Sequence, residues 1–163
     1  MESAGKYCYT LGGINGRIMR QRQLSIAKIT RPKITGVYER TRLFNLLDQR
    51  REKPVVWISG PAGSGKTTLV GSYLDSRKLP CLWYQVDEGD GDIATFFYYM
   101  GLAAKKAAPR VKRPLPLLTP EYAFGIPTFT RRFFEELYNG LPSSSVIIFD
   151  NYHHIPEASP LHE

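Results

Sequence analysis

The chain has 163 residues, 42% of them apolar, and 22 basic against 15 acidic side chains give a net charge of +7, a size and composition suited to one domain with a sizeable core. No run approaches the roughly 18 apolar residues of a membrane helix, the opening residues lack a secretory apolar stretch, and Cys8 and Cys81 imply no disulfide framework, so the expected location is cytoplasmic. The positive charges are dispersed over several segments without a basic recognition helix, so direct DNA binding by this segment is not expected and the excess reads as solvated surface plus attraction for a phosphate ligand.

Residues 1–30 carry Gly5, Gly12, Gly13, Gly16 and the basic run Arg17-Ile-Met-Arg-Gln-Arg22 without a sustained period, and read as a loose basic leader to a domain over 31–163. From Arg40 to Arg51, Leu43, Phe44, Leu46 and Leu47 recur among charges, which predicts a short amphipathic helix ending before Pro54. The apolar run Val55-Val-Trp-Ile-Ser59 then predicts a strand. It feeds Gly60-Pro-Ala-Gly-Ser-Gly-Lys-Thr67, which fits the phosphate-loop pattern G-x-x-x-x-G-K-[ST] (Walker A) and opens a helix predicted over Lys66 to Ser76.

That order of strand, glycine-rich turn and helix has a mechanism. Backbone N–H groups from Gly60, Pro61, Ala62, Gly63, Ser64 and Gly65 onward cradle phosphate oxygens, proline excepted as a donor, and the helix N-terminus adds its positive dipole end. The glycines keep Cβ atoms out of the way. Lys66 is expected to reach the β- and γ-phosphates, Thr67 to help hold Mg²⁺, and Thr68 to donate on the α-phosphate side. The expected ligands are therefore ATP and Mg²⁺.

Leu82-Trp-Tyr-Gln-Val86 predicts the second strand, followed by Asp87, Glu88 and Asp90, acids that suit turn formation and capping more than direct catalysis. Asp92 is placed to cap a helix whose face carries Ile93, Phe96, Phe97, Met100 and Ala104, stopped by Pro109. Residues 108–127 hold five prolines and predict an exposed connection. Thr128 is expected to cap a helix with Phe129, Phe133, Phe134 and Leu137 inward, closed by Gly140. Val146-Ile-Ile-Phe-Asp150 predicts a strand buried on both faces, with Asp150 at its C-terminal end as a Mg²⁺ ligand, directly or through water. The fold class is α/β, a three-layer phosphate-loop NTPase with a parallel sheet. His153 and His154, adjacent and without a third donor at ligand spacing, do not read as zinc ligands.

The segments Ser59-Gly-Pro-Ala-Gly-Ser-Gly-Lys-Thr-Thr-Leu69, Leu82-Trp-Tyr-Gln-Val-Asp-Glu-Gly-Asp90 and Ile148-Phe-Asp-Asn-Tyr-His-His-Ile155 resemble, in order and spacing, the nucleotide-binding domain of the large ATP-dependent LuxR-type, maltose-regulator-like transcription activators. These are STAND-class ATPases, relatives of the AAA+ domains. Lys28-Ile-Thr-Arg-Pro32 and Arg40-Thr-Arg-Leu43 resemble that family's lead-in, so the likeness covers about residues 28 to 163. It implies a slowly hydrolysing ATP switch within a transcription regulator, with Val37 or Arg40 near the base and His153 in a hydrogen-bonding or sensing role. One departure is Asn151, where relatives usually carry a second acid; an amide orients water but cannot take its proton.

In the resembled fold a later strand lies between the phosphate-loop strand and the strand bearing the metal Asp. The chain is therefore expected to be the N-terminal piece of a longer regulator, whose remaining domains are its partners and which the resemblance endows with nucleotide-dependent self-association. An empty slot in the sheet predicts instability or aggregation. A small-molecule or nucleotide kinase and a non-functional remnant that keeps the motifs are the alternative readings.

Overall fold

A parallel pair of strands, β1 (Cys81–Gln85) and β2 (Val146–Asp150), forms the sheet of the computed structural model, which describes residues 26–111, 113–122, 125–159 and 161. Their register runs from Cys81 opposite Val146 to Gln85 opposite Asp150. It is extended at both ends by hydrogen bonds from the Val146 amide to the Pro80 carbonyl at 3.0 Å and from the Val86 amide to the Asp150 carbonyl at 2.8 Å. Parallel neighbours need a long crossover, and here it contains α3 (Ile93–Ala107) and α4 (Ile126–Gly140). Two further helices precede the sheet, α1 (Thr41–Arg50) and α2 (Lys66–Ser76).

Strand alternation sorts the core. Leu82, Tyr84 and Val86 share one face and pack with Phe96, Phe97 and Met100 of α3 and Phe129, Phe133 and Leu137 of α4. Phe97 meets Phe129 and Phe133 edge-on, each at 4.8 Å between ring centres, a geometry that adds about 0.5–1.5 kcal/mol per pair beyond area burial. A smaller cluster joins Phe44 of α1 to Leu69 and Tyr73 of α2. There the Tyr73 hydroxyl donates to Asp48 at 2.7 Å, and the Arg77 guanidinium donates to the same carboxylate at 2.7 Å. Gly71 lets the Ile34 side chain lie close against α2, since a Cβ there would overlap the end of that side chain and force it to shift.

Four expectations are corrected. Residues 55–59 form no strand: Val55 and Trp57 are 77% and 68% exposed, and the sheet of the described residues holds β1 and β2 alone. An apolar run becomes a strand only when a neighbour accepts its ladder bonds, and no described residue does so here. Second, β2 is half-buried rather than covered on both faces, with Phe149 exposed. Third, α4 starts at Ile126 with Gly125 as its N-cap and a proline in the first turn, where proline's fixed φ is favoured; Thr128 lies inside the helix. Fourth, the connection after α3 is not wholly exposed, since Leu115, Leu118 and Tyr122 pack against the main core.

Of the segment expected as a leader, residues 1–25 lie outside the described residues, while Ala27–Ile29 forms a 3-10 turn with Ile29 in the core. Cys81 is half-buried, and among the described residues no helix is long and apolar enough to cross a membrane.

Candidate functional site

The loop over residues 60–65 leads directly into α2, with Gly65 as N-cap. Gly63 and Gly65 adopt φ of 74° and 80°, left-handed values that cost an L-residue roughly 1–2 kcal/mol. A Cβ on Gly63 would meet nothing within 4 Å, whereas one on Gly60 would lie 3.0 Å from the Ser64 hydroxyl oxygen. The first amides of α2 have no intrahelical acceptor, so the N-terminus of the helix, where the loop ends at Gly65, carries unsatisfied donors. The Lys66 ammonium donates to the carbonyls of Gly60 at 2.9 Å and Pro61 at 3.0 Å, spanning the loop from within. Pro61, Ala62 and Ser64 complete the turn, closed by a hydrogen bond from the Ser64 amide to the Pro61 carbonyl at 3.2 Å.

Asp150 comes to this loop from the far end of β2. The Thr67 hydroxyl lies 3.0 and 3.1 Å from the two Asp150 carboxylate oxygens, a contact between residues 83 positions apart. Oxygens at adjacent corners of a magnesium octahedron with bonds of 2.0–2.1 Å are about 2.9 Å apart, so the spacing of this hydroxyl and carboxylate suits two ligands of one such cation. Thr68, next on α2, is half-buried. Asn151 follows Asp150 in a left-handed conformation, φ 62°, which Asn tolerates better than most residues. It begins the 3-10 turn Tyr152–His154, and Tyr152 holds Trp57 edge-on at 5.5 Å. His153 and His154 are exposed, with ring centres 4.5 Å apart.

The three acids after β1 do not converge on this pair. Asp90 is fully buried and accepts from the Tyr84 hydroxyl at 2.6 Å, the Lys28 ammonium at 2.7 Å and the Asp87 amide at 2.9 Å. Burial, then the bond to Asp90, pushes the Tyr84 phenol far above its usual range, so it stays a donor. Asp87 accepts from the Gly89 amide at 3.0 Å and pairs with Lys28 at 2.5 Å. Asp87 and Asp90 are a structural clamp between the turn after β1 and the lead-in chain, while Glu88 is exposed.

Lys28 had no signal as a partner in the sequence, because its bond to Asp90 spans 62 positions. Arg40 is also better placed than the sequence alone indicates: its guanidinium donates to the Ser64 carbonyl at 3.2 Å and lies over Gly65. Val37 is exposed.

With this geometry in view, the comparisons with known proteins fall into place. The HTH-type transcriptional regulator MalT of Vibrio campbellii is 37% identical over 82 residues, 50% of this chain and 9% of that protein. MalT of Vibrio cholerae is 29% identical over 142 residues, 84% of this chain and 15% of that protein. The tRNA 2-selenouridine synthase of Serratia proteamaculans is 42% identical over 75 residues, 45% of this chain and 20% of that protein. The chain thus spans a small fraction of the relatives it matches. No family model and no solved structure matches it.

Proposed function

We propose that the chain is an ATP-binding, slowly hydrolysing switch module of a LuxR-type transcription regulator, built on a STAND-class phosphate-loop fold. The observation that carries this reading is the meeting of Thr67 and Asp150 at the mouth of the glycine loop. Similarity to MalT regulators over much of the chain supports the regulator part.

In this account the amides of residues 60–67 and the Lys66 ammonium bind the phosphates, Lys66 exchanging its loop carbonyls for phosphate oxygens. Thr67 and Asp150 would hold Mg²⁺, which neutralises charge between the β- and γ-phosphates. Arg40 steadies the loop through the Ser64 carbonyl. Asn151 orients a water without taking its proton, so turnover is slow and hydrolysis acts as a timer.

The test is Mg-ATP-dependent thermal stabilisation of the wild type and Lys66→Ala, coupled to phosphate release. Ligand at a hundred times its Kd stabilises by about 2.7 kcal/mol, and the wild type alone is expected to show it. Slow release without an acceptor supports the switch. Transfer to an added metabolite would make the chain a kinase, and no shift in either protein would make it a remnant that keeps the motifs.

A further inference from the structure

Away from the phosphate loop, α3, α4 and the proline-rich connection between them line a half-open groove of about 550 Å³, within the roughly 300–1,000 Å³ range of small-molecule sites. Its walls are apolar, from Phe97 and Leu102 of α3, Leu137 of α4, and Leu115 and Leu141 of the flanking chain. The rim is apolar too: Tyr98, Val111 and Leu117 are 57%, 46% and 72% exposed.

Two features say what the space accepts. Gly101 lies inside α3 and lines the cavity, and a Cβ on it would meet nothing within 4 Å. A glycine in a helix interior costs about 0.5–1 kcal/mol relative to alanine, and neither packing nor backbone geometry requires one here. One turn on, at the same face, Lys105 stands exposed at the cavity with no acidic partner among the described residues. Arg113 lines the opposite wall. The one acid in the lining, Glu136, is shared between Arg113 at 3.6 Å and Arg132 at 3.4 Å. An apolar chamber with an unopposed cation at its mouth fits a molecule with an apolar body and an anionic head.

We infer that this cavity is a binding site for a small amphipathic anion, a carboxylate with an aliphatic or aromatic body. Its body lies along Gly101 between α3 and α4, and its carboxylate pairs with Lys105, aided by Arg113. The site is separate from the phosphate loop and does not depend on nucleotide binding.

The experiment is calorimetric titration of the 163-residue chain with decanoate, and with decan-1-ol as its uncharged counterpart. Decanoate is expected to bind saturably at one site, at least about tenfold more tightly than the alcohol. Lys105→Glu should weaken decanoate by about tenfold or more and leave the alcohol within about twofold. Gly101→Leu, which fills the chamber with a better helix former, should weaken both by about tenfold or more while the circular-dichroism spectrum stays that of the wild type. Equal affinity for acid and alcohol, non-saturating uptake, or unchanged binding in folded Gly101→Leu would each overturn the proposal. A dimer seen by sedimentation that decanoate leaves intact and Gly101→Leu dissociates would assign the chamber to a second copy of the chain, and overturn it equally.

Discussion

Replacing Asp90 by alanine removes the acceptor shared by three donors, the Tyr84 hydroxyl, the Lys28 ammonium and the Asp87 amide. Asp90 and Tyr84 are both 0% exposed, and the Lys28 side chain is 10% exposed, so water cannot readily substitute. Breaking a buried charge pair from one side costs about 3–5 kcal/mol. Lys28 keeps Asp87, whose side chain is 59% exposed, and this remaining partner places the cost near the lower end, about 3 kcal/mol. A domain of marginal stability, about 5–15 kcal/mol, then loses a large share. Urea unfolding followed by the fluorescence of buried Trp83 reads the change; for a slope of about 2 kcal/mol/M the midpoint falls by about 1.5 M. Asp90→Asn keeps an acceptor for Tyr84 and should lose about half as much. A midpoint within error of the wild type for Asp90→Ala would refute the clamp. If Asp90→Ala were fully stable yet lost phosphate release, Asp90 would be a catalytic acid after all.

Two other outcomes follow from the packing and caps. Phe97→Ala removes the ring that meets both Phe129 and Phe133 and should cost about 3–5 kcal/mol in urea unfolding; a cost under about 1 kcal/mol would mean that α3 and α4 do not share this core. Asp92→Ala should cost about 1 kcal/mol, because Asp92 caps α3 by accepting from the Thr95 amide at 2.9 Å. The hydroxyl and amide of Thr95 hold the Asp92 carboxyl below its ordinary 3.8. A carboxyl depressed on folding contributes stability that is present above its unfolded value and lost as pH falls through the folded one. The difference between wild type and Asp92→Ala in urea midpoint should therefore persist at neutral pH and narrow as the pH falls below the ordinary carboxyl value of 3.8. A difference that stays constant down to acid pH would contradict the cap.

Local features were legible in the sequence. The helix after the glycine loop begins at Lys66 and ends at Ser76 as its pattern predicts, Asp92 caps α3, and Asp150 stands at the end of its strand, because each depends on neighbours within a turn or on one apolar run. Relations that depend on distant partners were not legible. Residues 55–59 have the composition of a strand, but pairing is a property of two segments, and no described segment lies beside them to accept their ladder bonds. The Lys28 to Asp90 bond and the placing of Arg40 against Ser64 arise only when the lead-in chain folds back on the sheet. At the candidate site, the spacing pattern named Thr67 and Asp150 separately, and the folded chain brings them within hydrogen-bond distance.

The central claim is that the glycine loop binds a nucleotide whose magnesium is held by Thr67 and Asp150. Its most direct test is a calorimetric titration of wild type and Asp150→Ala with ATP, in excess Mg²⁺ and in chelator. Mg²⁺ should tighten ATP binding to the wild type by about tenfold or more and to Asp150→Ala by much less, a contact with a charged group being worth about 1.5–3 kcal/mol. An identical magnesium dependence in the two proteins, or no heat of nucleotide binding in the wild type, would contradict the account.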